Sequence, residues 1–354
     1  MSTVLEVSNL TKHFPVRRGL LRRQVGAVQA VSDVSFSVKA GETLAIVGES
    51  GCGKSTTGRA LLRLLEPSAG SVKLDGEEIT ALPPSRLRAA RRQMQMVFQD
   101  PFGSLNPRMT VREILVEPMV LHGIASGERA EARVSELLRT VGLAPYHAER
   151  YPHEFSGGQR QRICIARALA TRPRLIVCDE PVSALDVSVQ AQIVNLLQDL
   201  QREFGLTYVF ISHDLAVVRH IANRVAVMYL GRIVEEAETS ALFADPRHPY
   251  TRALIAAAPR PAPGAVTGRE AVRGDAPSAL NPPSGCAFHP RCPLATERCR
   301  TERPELRAVS GSNVACHHAE QAEPLPLPSA ASAPSELLNR RLEVLARARA
   351  ASAA

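Results

Sequence analysis

A glycine-rich loop between an apolar run and a helix-forming run constrains this chain most. Leu44, Ala45, Ile46 and Val47 lead into Gly48-Glu49-Ser50-Gly51-Cys52-Gly53-Lys54-Ser55-Thr56, and a helical pattern runs from Ser55 through Leu65 before Glu66-Pro67 stops it. A short apolar run ending in glycine reads as a buried strand, and the segment beyond as a helix. The loop fits GxxxxGK(S/T). Glycines let successive N–H groups turn inward onto phosphate oxygens. Lys54 brings a point charge to the terminal phosphates and Ser55 offers a hydroxyl to Mg2+. The helix that follows aims its positive end at the same anion. The unit predicts an α/β fold that binds a nucleoside triphosphate.

A second apolar run, Leu175-Ile176-Val177-Cys178, ends in Asp179-Glu180, about 125 residues beyond Lys54. Acids at a strand end sit at the carboxyl edge of a parallel sheet, where ligands bind in open α/β folds. By itself such a pair merely starts a loop. Downstream of a phosphate loop, Asp179 is placed to hold Mg2+ and Glu180 to polarise the water that attacks the γ-phosphate.

Between these strings lies Phe155-Ser156-Gly157-Gly158-Gln159-Arg160-Gln161-Arg162. Ser156 reads as an N-cap, the two glycines allow close approach, and the helix start favours an anion. With this string in place, residues of about 4–245 resemble the nucleotide-binding subunit of an ATP-binding-cassette (ABC) transporter. The resemblance implies a P-loop NTPase fold, a mixed sheet with a helical subdomain at about 100–170. It implies that Ser156, Gly157, Gly158 and Gln159 bind the γ-phosphate of ATP held by a partner subunit. It also assigns Gln99 to Mg2+ and the water, Asp186 to the dimer interface, His213 to the γ-phosphate and the orientation of Glu180, and Phe14 to stacking on adenine. The stretch from Arg17 to Val28 reads as an insertion that blurs the register at Phe14. Two subunits closing on shared ATP would convert binding and hydrolysis into a mechanical stroke.

The chain has 354 residues, 45% of them hydrophobic, enough for one large α/β domain with an appendix. No apolar run approaches the roughly 20 residues that span a bilayer, and the N-terminus Met1–Leu10 alternates like a strand rather than a signal peptide. Membrane spans must then come from separate subunits. The net charge of +8 reads first as solvated surface, with proximity to anionic lipid as a sharper reading. Aromatics at 4% with no Trp argue against a base-stacking nucleic-acid platform.

From about Thr239 the character changes. His248–Pro259 is followed by a Pro/Gly/Ala-rich stretch to Pro283, then by Cys286, Cys292, Cys299 and Cys316 with spacing C-x5-C-x6-C-x16-C. This lacks the CxxC knuckle of common zinc sites. Disulfides do not suit a reducing compartment. Zinc, with His289, His317 or His318 as spare ligands, an iron–sulfur cluster and free thiols remain open. The strings Gly285–Ala295 and Val314–His318 resemble the tail of oligopeptide and dipeptide importer ATPases, and Lys12–Gly19 with Gly48–Thr56 resemble the second ATPase subunit of dipeptide systems in particular. The resemblance of the tail implies a 4Fe–4S cluster on the four cysteines. The expected organisation is an ATPase domain at 1–240, a small irregular cysteine-containing domain at 241–322 and a Pro/Ala-rich tail at 323–354, with a helical pattern at Glu336–Arg349.

The resemblance thus implies an ATPase on the cytoplasmic face of the inner membrane, peripheral, energising import of dipeptides or oligopeptides. Its partners would be two transmembrane permease subunits, a paralogous or identical ATPase subunit and an extracytoplasmic peptide-binding protein, with no nucleic acid. A nickel or other small-solute importer is the nearest alternative. A soluble ABC ATPase is further off, since such chains carry two cassettes or long coiled-coil insertions, and no internal repeat is visible here.

Overall fold

The computed structural model describes residues 2–19, 23–257 and 274–321. The Pro/Ala-rich tail, the Glu336–Arg349 pattern and most of the stretch leading to Pro283 lie outside the described residues.

Two sheets carry the fold. The strands are β1 (Thr3–Arg18), β2 (Arg23–Lys39), β3 (Thr43–Val47), β4 (Ala69–Leu74), β5 (Glu77–Glu78) and β6 (Met94–Val97). They continue as β7 (Leu175–Asp179), β8 (Thr207–Ser212), β9 (Arg224–Tyr229), β10 (Arg232–Glu238), β11 (Arg307–Val309) and β12 (Ser312–Val314). An antiparallel sheet has the order β2-β1-β4-β5, and the central mixed sheet has the order β11-β12-β10-β9-β3-β8-β7-β6. β6, β7, β8, β3 and β9 run parallel.

Continuous apolar runs suit strands covered on both faces. On β7, Leu175 and Val177 join one core with Ile46 and Leu61, while Ile176 and Cys178 join a second core with Ile163 and Leu169. On β8, Val209 and Ile211 go to the first core, and Tyr208 and Phe210 to the second. Each such side chain contributes roughly 1.5–3 kcal/mol of burial, and the alternation fixes the register that sets the strand ends in line.

The helical subdomain forms the excursion between the neighbouring strands β6 and β7. It contains helices Val111–Leu121, Glu128–Thr140 and Gly157–Leu169. The helix after the phosphate loop is shorter than its sequence pattern, Lys54–Leu61, because Arg63 turns into the left-handed region at φ 50°.

Two expectations take structural form. The described strand residues of the stretch from Arg17 to Val28 pair with one another and lengthen the β1–β2 ribbon, with Phe14 opposite Val28 and Arg17 opposite Gln24. The boundary expected at residue 240 is bridged by the central sheet. β12 pairs antiparallel with β10, Glu235 opposite Val314, so the described part of 241–322 extends the central sheet, and 1–322 form one compact unit.

Candidate functional site

The carboxyl ends of β3, β7 and β8 open onto one cavity of about 570 Å³, lined by Val28, Lys54, Ser55, Gln99, Glu180 and His213 among others. The phosphate loop makes its floor. Gly48 has φ 155° and Gly53 φ 106°. A β-carbon at Gly48 would lie 2.2 Å from the Met228 carbonyl oxygen, and one at Gly53 would lie 2.0 Å from that of Ala30. Only glycine fits either place. The buried Lys54 ammonium donates to the carbonyls of Gly48 (2.8 Å) and Glu49 (2.9 Å), which holds it at the centre of the curl.

Ser55, in the first turn of the following helix, donates its hydroxyl to Asp179 Oδ1 at 2.6 Å. Asp179 is fully buried, and its Oδ2 has no hydrogen-bond partner. The nearest cation, Arg59 Nη2, stands 3.9 Å away. Burial pushes the Asp179 carboxyl up, while the Ser55 bond and the Arg59 charge act against that rise. A buried carboxylate with one unsatisfied oxygen is costly unless a cation meets it. The Ser55 hydroxyl, Asp179 carboxylate and Gln99 amide form a hard oxygen set that fits Mg2+. Bound there, Mg2+ supplies neutralisation of phosphate charge.

Glu180 stands in the left-handed region at φ 46°, with its N–H donated to the Ile211 carbonyl at 3.0 Å. A non-glycine residue held this way stores about 1–3 kcal/mol. The strain turns the side chain toward two partners. Gln99 Nε2 donates to Glu180 Oε2 at 2.9 Å, and His213 Nδ1 lies 3.3 Å from the same oxygen. Carboxylate, amide and imidazole therefore converge beside Ser55, as a water-activating group needs.

Not every expected residue reaches this cavity. Ser156 caps helix Gly157–Leu169: its hydroxyl accepts from the Gln159 N–H at 3.4 Å, and Gln159 Oε1 accepts from the Ser156 N–H at 3.0 Å. Gly157 and Gly158 pack against Leu185 and Val189 around Asp186; a β-carbon on Gly158 would come within 2.5 Å of Val189. Asp186 starts helix Val187–Phe204 with no side-chain cap bond. None of these residues lines the cavity of its own chain, nor does Phe14, which is partly exposed beneath Lys12.

The structure adds residues that the sequence did not mark. Ala30 and Ala279 line the cavity, and the Ala279 carbonyl accepts from the Gln29 N–H at 2.9 Å. Glu49 donates its N–H to the Tyr250 hydroxyl at 2.8 Å.

Cys52, Cys164 and Cys178 are buried packing residues. The four C-terminal cysteines gather: the Cys286 N–H donates to the Cys299 carbonyl at 2.8 Å. Burial, with the nearby thiols Cys286 and Cys299 adding to it, pushes Cys292 up to about 11. Burial and the other three thiols push Cys316 up to about 12. All seven cysteines are free, and among the described residues no group of three or more His, Cys, Asp or Glu is arranged to hold a metal. The three histidines expected as spare ligands lie against other partners, His289 against the Cys286 carbonyl, His317 against the Glu302 carbonyl and His318 against the Thr296 hydroxyl. As placed, these residues do not fit a metal centre.

A glycine cradle with a buried lysine, a strand-end Asp-Glu pair and a strand-end histidine on one sheet edge define a phosphate-loop ATPase. Residues 31–183 match the ABC transporter family, and residues 234–299 match the oligopeptide/dipeptide transporter C-terminal region. The chain is 58% identical over 315 residues to the probable peptide ABC transporter ATP-binding protein y4tS of Sinorhizobium fredii, covering 89% of each chain. It is 52% identical over 321 residues to the di/tripeptide transport ATP-binding protein DppF of Pseudomonas aeruginosa, covering 91% of this chain and 99% of that one. Among solved structures, the ATP-binding cassette MJ0796, a dimer in a post-hydrolysis state with ADP and Pi, aligns with a TM-score of 0.59 at 33% identity, over 66% of this chain and 98% of the cassette. The chain belongs to the ATP-binding subunits of ABC transporters, and it is an ATPase of that type.

Proposed function

We propose that the chain energises import of dipeptides and oligopeptides across the inner membrane, bound peripherally at its cytoplasmic face. The observation that carries this is the near full-length likeness to a di/tripeptide transport subunit, which runs through the C-terminal region as well as the cassette. No helix among the described residues is long and apolar enough to cross a membrane, which agrees with spans supplied by two permease subunits. An extracytoplasmic binding protein would deliver the peptide.

The separation of Ser156–Gln159 from the chain's own cavity favours a second ATPase subunit, paralogous or identical, that brings the same string to face Lys54 across ATP. Lys54 and the loop N–H groups hold the phosphates, Ser55, Asp179 and Gln99 hold Mg2+, and Glu180, steadied by Gln99 and His213, polarises the water. Phe14, opposite the cavity-lining Val28, is the residue we place against adenine. Uptake of labelled dipeptide by a strain lacking the gene, restored by the natural chain and not by Glu180→Gln, tests the proposal. Unchanged uptake in the deletion strain overturns it.

The 4Fe–4S reading of Cys286, Cys292, Cys299 and Cys316 rests on the sequence resemblance alone, and the placement of these residues speaks against it. Iron and acid-labile sulfide in the purified chain test it, and zinc or no metal overturns it.

A further inference from the structure

We infer that Arg291 is a positioning residue for ATP binding, acting from the cysteine-bearing segment on the phosphate loop through Glu49. Its guanidinium meets the Glu49 carboxylate with both forks, Nη1 to Oε2 at 2.8 Å and Nη2 to Oε1 at 2.9 Å. Planar bidentate pairing of this kind fixes direction as well as distance. The Arg291 side chain is only 7% exposed, over the rings of Tyr229 and Phe288. Those rings and Tyr250 form one buried cluster behind the loop.

Glu49 is therefore held at three points. Its N–H goes to Tyr250, its carboxylate to Arg291, and its carbonyl accepts from the Lys54 ammonium. The first two anchors come from the C-terminal segment, and the third is the charge that meets the triphosphate. The segment thus pre-forms the loop before nucleotide arrives, which spares ATP the cost of ordering it. Arg291 has a second effect. It neutralises a carboxylate in a loop that must receive a strongly anionic ligand, so its removal leaves a bare negative charge beside the phosphates.

The two effects give an ordering that a general packing role would not. The experiment is equilibrium titration of the full chain with trinitrophenyl-ATP and Mg2+. The inference rests on assignment of the loop as the ATP site, which the natural chain's own titration and a Lys54→Ala control establish before any variant is compared. Arg291→Gln should raise Kd about tenfold or more, since an unpaired carboxylate then opposes the ligand. Adding Glu49→Gln to Arg291→Gln should recover part of that loss, because the opposing charge is gone. Arg291→Lys, which keeps the charge but loses the two-pronged pairing, should fall between the natural chain and Arg291→Gln. Arg307→Gln, which removes an exposed ion pair with Glu320 elsewhere in the segment, should leave Kd unchanged. Natural affinity in Arg291→Gln, a double variant no tighter than the single, or an equal loss in Arg307→Gln overturns the inference. Should Arg291→Gln be too unstable to titrate, Glu49→Asp carries the test: it keeps the charge but shortens the reach, and an unchanged Kd is fatal.

Discussion

The hydroxyl of Ser55 is tied to Oδ1 of Asp179 at 2.6 Å, joining the end of the phosphate loop to the end of β7. The other carboxylate oxygen is buried without a hydrogen-bond partner. Asp179→Asn removes the buried charge, so it should stabilise the nucleotide-free chain by on the order of 1 kcal/mol. The same change should abolish the Mg2+ dependence of ATP binding. Thermal melts and titrations with and without Mg2+ check both halves; a less stable variant that still responds to Mg2+ would contradict the assignment.

Glu180 is held between Gln99 and His213. Glu180→Gln keeps the shape of the site and removes the carboxylate proposed as the base. Hydrolysis should fall by about 10²–10⁴-fold, while ATP still binds and an ATP-held dimer accumulates. Phosphate release and size-exclusion chromatography with ATP read this directly; turnover at the natural rate would remove Glu180 from the mechanism.

Gly158 has no room for a side chain because Val189 lies against it. Gly158→Ala should cost about 1–3 kcal/mol through overpacking, seen as a lower Tm. Val189→Ala in the same chain should recover most of that loss, since the clash is with one methyl group. Equal Tm values for the single and double variants would place the strain elsewhere.

His248 is buried, and its Nδ1 accepts the Tyr250 N–H at 3.0 Å. Burial depresses its pKa from 6.5 to about 3. The folded chain thus refuses a proton that the unfolded chain accepts below pH 6.5. The stability held above that pH is lost as pH falls from 6.5 toward 3, with a slope from this group of at most about 1.4 kcal/mol per unit. Buried Glu235, whose carboxyl is pushed up, acts oppositely near the acid end of this window. Between pH 7.5 and 5.5, His248→Gln should therefore lose Tm less steeply than the natural chain; parallel slopes would refute the attribution.

Much of the ATP site was legible because its chemistry is local. The apolar runs before Gly48, Asp179 and His213 each end at the cavity, as their length and bounding residues imply. Contacts between distant segments were not legible. Arg291 and Glu49 lie 242 positions apart, and each alone reads as an ordinary surface charge. The two terminal strands, three residues each, are too short to show a period in the sequence. A signal was there: Ser310-Gly311 at φ 49° and 86° joins Val309 to Ser312, the two-residue turn that suits a tight hairpin. The pairing of the described residues between Arg17 and Val28 is hard to read because a register shift falls between Val16 and Arg17.

Those short strands have a consequence for handling the molecule. β12 covers the outer rim of β10. A chain ended at residue 240, where composition invites a cut, would bare that rim as a row of unsatisfied amides and carbonyls, ready to recruit another molecule's strand. Such a trimmed cassette would tend to clump rather than stay dispersed, and its poor solubility would be mistaken for a fault of the ATP-binding half.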